Sequence, residues 1–192
     1  MTKGNGQLYA NEVRAIRNHL LYNGDPISIQ HWVMTLLGIK MLLRSDKIIN
    51  LTVKDFVNSY YPKGKIMSLP DDGKQALTKR QVVHPDYVRA CALEVQGRRD
   101  AQPVRLALII DQECPEFCAL RHLLWYMKVF NIRSGYLFPP SDVLIDAYEK
   151  GEPVDSDKRI SYGSFLWMMK HLIRDVCKRD CTIFQVGTHT LR

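Results

Sequence analysis

Apolar residues recur every three or four positions in four stretches of this chain, which is the spacing of an amphipathic helix. The pattern predicts helices over residues 11–21, 28–43, 118–130 and 161–177. The last stretch has the clearest pattern, and Ser161 at its start is a residue type favoured at a helix N-cap. Helices therefore form most of the expected fold.

Two shorter stretches have the alternation and the β-branched content of strands. They are residues 89–95 and 104–110, and the polar, glycine-containing segment 96–100 between them predicts a β-hairpin turn. Residues 60–80 are rich in Lys, Gly, Pro and Asp and predict an exposed irregular segment, whereas residues 141–159 predict a short helix and a loop. The expected fold class is mainly α with a small antiparallel β-sheet (α+β).

The composition is that of a folded protein, with 46% hydrophobic and 24% charged residues. The chain contains no internal repeat, low-complexity tract or long linker, so a single domain over residues 1–192 is expected. Its opening is polar, unlike a secretory signal, and no apolar run approaches the roughly 20 residues that cross a bilayer. We therefore expect an intracellular protein without a membrane partner, nuclear in a eukaryote and cytoplasmic in a prokaryote.

The charge balance permits a polyanionic partner. The chain has 27 Lys and Arg against 20 Asp and Glu, a formal net charge of +7. A basic surface attracts nucleic acid through counterion release, independently of base sequence. The charge by itself does not require such a partner.

The five cysteines are odd in number, which argues against a disulfide framework. Cys114 and Cys118, like Cys177 and Cys181, are spaced to share one helix face, as zinc ligands do. Pro115 interrupts the first pair, however, and neither pair has a second pair of ligands nearby. Buried, reduced cysteine is the better interpretation, and no metal or other cofactor is predicted.

The first motif with candidate catalytic residues is centred on Arg44. Arg44 follows an apolar helix, Leu51 comes seven residues later and Asp55 four residues after that. This phrase resembles the first arginine box of tyrosine recombinases and phage integrases. It departs from that box at two places: the family usually has Gly-Leu-Arg, whereas Gly38 lies upstream here, and Lys47 stands where the family usually has an acid.

A second match closes the chain. His189, Leu191 and Arg192 form a phrase similar to the family's His-x-Leu-Arg box, and it follows the predicted helix 161–177 as in the family. The Leu-Phe-Pro phrase at residues 137–139 is also similar to one that many of these enzymes carry. The order of these boxes covers essentially the whole chain. The hairpin and the following helix resemble those of recombinases from eukaryotic mobile elements.

The resemblance implies how the residues would act. Arg44 and Arg192 would clamp the scissile phosphate, because arginine stays charged and presents paired N–H donors to phosphate oxygens. His189 would donate to the same phosphate or accept the proton of the nucleophile. The family's hairpin usually delivers a lysine to the leaving oxygen; here the turn offers Arg98 or Arg99, and we favour Arg98. The candidate catalytic residues are therefore Arg44, Arg98, His189 and Arg192.

In the family a tyrosine beyond the His-x-x-Arg box attacks the phosphate and forms a phosphotyrosyl intermediate. Every tyrosine of this chain precedes that box. Residues 1–192 are therefore expected to be a partial catalytic domain that lacks the nucleophile and the N-terminal DNA-clamping domain, and that does not cleave DNA by itself. The implied function is site-specific recombination or integration of double-stranded DNA, with homo-oligomerisation on DNA left open.

Two alternatives remain. The first is a non-catalytic DNA-binding module or remnant derived from such an enzyme, which the acid-to-lysine change at Lys47 and the absence of a clear hairpin lysine favour. The second is an unrelated basic helical protein. The recombinase hypothesis requires Arg44, His189 and Arg192 to converge on one basic cleft. The Trp125-Tyr126 and Trp167-Met168-Met169 clusters are predicted to be core.

Overall fold

The computed structural model describes residues 8–57, 90–95 and 104–179. They divide into two compact units. The described part of the first unit comprises residues 8–49 and 160–179, and that of the second comprises residues 50–57, 90–95 and 104–159.

The helices in chain order are α1 Ala10–Asn23, α2 Pro26–Met41, α3 Ser45–Ile49, α4 Ala119–Val129, α5 Ser141–Lys150 and α6 Tyr162–His171. The strands are β1 Phe56–Val57, β2 Ala90–Val95, β3 Val104–Ile109, β4 Ile132–Gly135 and β5 Val154–Ser156. Short turns of 3-10 helix occupy Val53–Asp55 and Pro115–Phe117, and a π-helical turn occupies Leu172–Val176. The fold is mainly helical with little sheet, as predicted.

The first unit is built on α2, which is buried on most sides. Its N-cap, Asp25, accepts a hydrogen bond at 2.9 Å from the backbone N–H of Ser28. This capping bond explains why the helix begins at Pro26, two residues earlier than the predicted start. α1 lies against α2, and α3 lies against both α2 and α6. Trp32 and Ile16 have no exposed surface and lie in the core of this unit.

The predicted helix over residues 161–177 is confirmed, with a change of geometry near its end. Ser161 is the N-cap, as predicted: its hydroxyl accepts a hydrogen bond from the backbone N–H of Ser164 at 2.9 Å. α6 ends at His171, and the π-helical turn Leu172–Val176 continues the winding.

The second unit contains the predicted antiparallel pair. β2 pairs with β3 from Ala90 opposite Ile109 to Val95 opposite Val104, and β1 adds a third antiparallel strand beside β2. The predicted turn at residues 96–100 and the predicted irregular segment at residues 60–80 lie outside the described residues.

A second, two-stranded sheet was not predicted. β4 pairs in parallel with β5, with Ile132 opposite Val154 and Gly135 opposite Ser156. Gly135 has φ +72°, and a Cβ at this position would lie 2.0 Å from the backbone oxygen of Ser156. A glycine is therefore required here by both the backbone conformation and the close approach of the strand.

The core of the second unit centres on Tyr126 and Phe138, which have no exposed surface and stack at a ring-centroid distance of 5.7 Å. The Tyr126 hydroxyl donates a hydrogen bond to the backbone oxygen of Leu137 at 3.0 Å. Burial raises the pKa of Tyr126 well above its usual value, so this phenol stays protonated at ordinary pH.

The prediction that both tryptophan clusters lie in the core is wrong for the tryptophans themselves. Tyr126, Met168 and Met169 are buried, but Trp125 is 37% exposed and Trp167 is 66% exposed. Neighbouring residues on a helix project about 100° apart, so the burial of one does not bury the next. Among the described residues, no helix is long and apolar enough to cross a membrane.

Candidate functional site: the Arg44 junction

Arg44 is the candidate catalytic residue that the structure describes. Arg98, His189 and Arg192 lie outside the described residues, so their convergence with Arg44 stays a prediction.

Arg44 lies between the end of α2 and the start of α3. Its backbone oxygen accepts hydrogen bonds from the backbone N–H groups of Lys47 at 2.9 Å and Ile48 at 3.1 Å, which start α3. Ile48 and Ile49 are buried, and α3 lies against α2 and α6. The backbone of Arg44 is thus fixed by the hydrogen bonds and by the packing of the helix that it begins.

The residue that ends α2 explains a departure from the family phrase. Leu42 has φ 52° and ψ 32°, the left-handed conformation in which glycine commonly ends a helix. The family's Gly-Leu-Arg phrase would place its glycine at this position, two residues before Arg44. Leu42 keeps the backbone turn without the glycine, although an L-residue in this conformation costs roughly 1–2 kcal/mol.

The side chain of Arg44 is half-buried, and its Nε atom is buried. Within the described part of the chain this N–H has no hydrogen-bond acceptor. Ser45, the next residue, is only 3% exposed, and its hydroxyl likewise has no partner among the described residues. A buried donor left unpaired costs about 1–3 kcal/mol, so an acceptor supplied by a ligand would bind favourably here.

The charges beside the junction are mixed. Lys47 stands where the family usually has an acid, and its Nζ lies 4.0 Å from a carboxylate oxygen of Asp46. Lys40, in the last turn of α2, is exposed. Two lysines and one carboxylate therefore lie within four residues of Arg44 in the sequence.

An ion pair joins the two chain segments of the same unit, and no sequence pattern predicted it. The guanidinium of Arg179 donates from Nε and from a terminal nitrogen to the two carboxylate oxygens of Glu12. It also lies over the ring of Tyr9, 4.8 Å from the ring centroid. This pair joins α1 to the residues that follow the π-helical turn, and Arg179 precedes His189 by ten positions in the sequence.

The remaining matched positions have structural contacts in the second unit. Asp55 accepts hydrogen bonds from the backbone N–H of Thr52 at 2.6 Å and from its hydroxyl at 2.9 Å. The buried Leu51 accepts at 2.8 Å from the backbone N–H of Leu137, the first residue of the Leu-Phe-Pro phrase. Thr52 also forms a β-bridge with Tyr136. Two phrases matched separately in the sequence are therefore hydrogen-bonded neighbours, and their described contacts stabilise the fold.

The cysteines that the structure describes show no metal-site geometry. Cys118 is buried, and its Sγ accepts hydrogen bonds from the backbone N–H groups of Asp111 at 3.2 Å and Arg121 at 3.4 Å. It is thus the N-cap of α4. Cys114 is an exposed free thiol. No group of three or more His, Cys, Asp or Glu side chains able to hold a metal ion occurs within the residues described.

The sequence matches no family model and no curated protein. Solved structures do resemble the chain. XerH site-specific recombinase bound to difH substrate in a pre-cleavage complex aligns with a TM-score of 0.53 and 10% identity, covering 97% of this chain and 40% of that one. Its post-cleavage complex with palindromic difH gives a TM-score of 0.52 and 10% identity, covering 96% and 39%. The fold is recombinase-like.

The recombinase-like fold confirms the predicted α+β class. At 10% identity the likeness concerns the fold alone and assigns no residue its role. The chain spans about two fifths of the length of the recombinase chains that it resembles.

Proposed function

We propose that this chain belongs to the catalytic domain of a tyrosine recombinase and holds the phosphate of duplex DNA during site-specific recombination or integration. The observation that carries the proposal is Arg44: within a recombinase-like fold, it lies between α2 and α3 and has a buried Nε without an acceptor among the described residues. A phosphate oxygen would complete that donor.

The chemistry follows from the charge that develops on the phosphate. Attack by a nucleophile adds negative charge to the non-bridging oxygens, and fixed guanidinium groups stabilise it without having to reorganise. Arg44 and Arg192 would form this clamp, while His189 would donate to the phosphate or take the proton of the nucleophile. Arg98, in the turn that the sequence predicts at residues 96–100, would act on the leaving oxygen. The nucleophilic tyrosine of the family follows the His-x-x-Arg box.

The test measures binding, because none of this chain's tyrosines follows His189. Fluorescence anisotropy with a labelled 30-base-pair duplex would compare the wild type with Arg44→Ala and with a matched control, Arg14→Ala, an exposed arginine on α1. Loss of a charge-assisted phosphate contact should weaken binding at least about tenfold and lower the salt slope by about one. Arg14→Ala should change affinity less than about twofold. Equal affinities for wild type and Arg44→Ala would refute the proposal.

The stability of an Arg44 variant, measured beside its duplex affinity, distinguishes a phosphate-binding arginine from one with only a structural role. Arg44→Met keeps the apolar stem and removes the unpaired buried donor, so the free energy of unfolding should rise by about 1 kcal/mol. Duplex affinity should fall in the same variant. If Arg44 only supports the helix junction, both quantities should fall together.

A second candidate function is a DNA-binding module derived from a recombinase that no longer cleaves. Lys47, in place of the family's acid, favours it. An experiment on an extended chain that carries a tyrosine after the His-x-x-Arg box would distinguish the two functions. Covalent capture of that chain on a nicked duplex supports the enzyme, whereas tight binding without capture supports the module.

A further inference from the structure

One face of α6 combines an exposed aromatic ring with cations. Phe165, Met168 and Met169 are buried, whereas Trp167 is 66% exposed. Its indole stacks on the imidazole of His171 one turn later, with ring centroids 5.3 Å apart and planes 9° from parallel. The imidazole is offset from the centre of the indole, and with 66% of Trp167 exposed much of the ring system stays accessible to solvent.

Basic side chains flank this ring pair. Lys170 and Arg174 are exposed and lie one helical turn apart. We call Trp167, Lys170, His171 and Arg174 the α6 platform.

Asp175 orders two members of the platform. Its carboxylate accepts from the guanidinium of Arg174 at 2.7 and 2.9 Å, and it lies 2.7 Å from Nδ1 of His171. The hydrogen bond from Arg174 holds the pKa of Asp175 below its usual value. The carboxylate offsets one of the two cations, so Lys170, Arg174 and Asp175 together carry a formal charge of +1.

We propose that the α6 platform binds single-stranded nucleic acid, with one unpaired base stacked on the exposed indole of Trp167 and the adjoining backbone phosphate on Lys170 and Arg174. An exposed aromatic ring with neighbouring cations is the combination that single-strand-binding surfaces use. Bases in a duplex are already stacked on their neighbours and offer no free face to an indole on a helix surface. This inference concerns another ligand and other residues than the proposed function, and does not depend on it.

Stacking can be measured with the chain's own fluorescence. In a Trp125→Phe background, the remaining tryptophans are the fully buried Trp32 and the exposed Trp167. Titration with a fifteen-nucleotide oligothymidylate should quench the exposed component of the emission. Absence of quenching at low salt would overturn the proposal.

Affinity supplies the decisive comparison. By anisotropy with the labelled oligothymidylate, Trp167→Ala should weaken binding about tenfold, within the range for loss of one base-stacking ring, and Trp167→Phe should keep most of the affinity. The matched control is Trp125→Ala, a second partly exposed tryptophan, which should bind like the wild type. Because Trp167 is largely exposed, its removal should leave the circular dichroism spectrum unchanged.

Other outcomes decide against the platform. Wild-type affinity in Trp167→Ala refutes the stacking contact, and equal competition by unlabelled duplex shows a backbone site without preference for single strands. If Trp167→Ala instead abolishes self-association in sedimentation and leaves oligothymidylate affinity intact, the surface is a protein interface. The two proposals fail separately, because Arg44→Ala tests duplex affinity and Trp167→Ala tests single-strand affinity.

Discussion

The ion pair between Glu12 and Arg179 should contribute strongly to the stability of the first unit. The two side chains are only 10% and 22% exposed. Glu12 also accepts a hydrogen bond at 2.7 Å from the backbone N–H of Tyr9, just before α1. Removing one partner of a buried pair leaves an uncompensated charge and costs about 3–5 kcal/mol. Because both side chains keep some exposure, we expect Glu12→Ala and Arg179→Ala each to cost about 2–3 kcal/mol.

The double variant separates the pair from its surroundings. If the two charges interact directly, Glu12→Ala combined with Arg179→Ala should cost less than the sum of the single variants by at least about 1 kcal/mol. Arg14→Ala, an exposed substitution on the same helix, should change the free energy of unfolding by no more than about 0.5 kcal/mol.

The assay is urea unfolding followed by the fluorescence of Trp32, which has no exposed surface and lies in the same unit. Trp125 and Trp167 are replaced by phenylalanine so that the signal reports this unit. With a typical urea slope, a loss of 2–3 kcal/mol lowers the midpoint by about 1 M or more. Single variants that each lose less than about 1 kcal/mol, or a strictly additive double variant, would refute the reasoning.

Three further changes test other parts of the structure by urea unfolding. Gly135→Ala should lower the free energy of unfolding by about 3 kcal/mol or more, because its Cβ would lie 2.0 Å from a backbone oxygen of the paired strand. Gly151→Ala should lower it by only about 1–2 kcal/mol, because Gly151 has φ +67° but open space around it. Asp55→Ala should cost about 1–2 kcal/mol through loss of its two hydrogen bonds from Thr52, and Asp55→Asn should cost less. Burial lowers the pKa of His31 from 6.5 to about 4, so as the pH falls His31 is protonated in the unfolded chain before it is protonated in the folded one. The free energy of unfolding should therefore fall by about 3 kcal/mol between pH 6.5 and pH 4. Replacement of His31 by Phe should remove that pH dependence; an unchanged profile would contradict the assignment.

The described core helices could be predicted from the sequence because their signals are local. A repeat of three or four apolar positions fixes which face of a helix is buried, and a serine at position 161 caps the helix through a bond to an N–H three residues later. The β2–β3 pair could be predicted for a similar reason, since alternation over 89–95 and 104–110 specifies two strands and a short turn joins neighbours antiparallel.

The candidate site could be predicted only in part. The position of Arg44 at a helix junction follows from the apolar helix before it and the polar residues after it. That its Nε is buried without an acceptor in the described chain depends on how α2, α3 and α6 pack, which no local pattern reports. The roles of Arg98, His189 and Arg192 stay predictions.

The sequence by itself determined the helical class, the antiparallel strand pair and the order of boxes that led to a recombinase-like fold. Only the tertiary structure showed that Glu12 pairs with Arg179, that the backbones of Leu51 and Leu137 are hydrogen-bonded and that Trp167 is exposed to solvent. Helix and strand signals depend on residues a few positions apart, whereas these contacts join residues far apart in the chain or depend on which helix face finds a neighbour. Their energy is gained only after the chain has folded, so a local pattern cannot encode them.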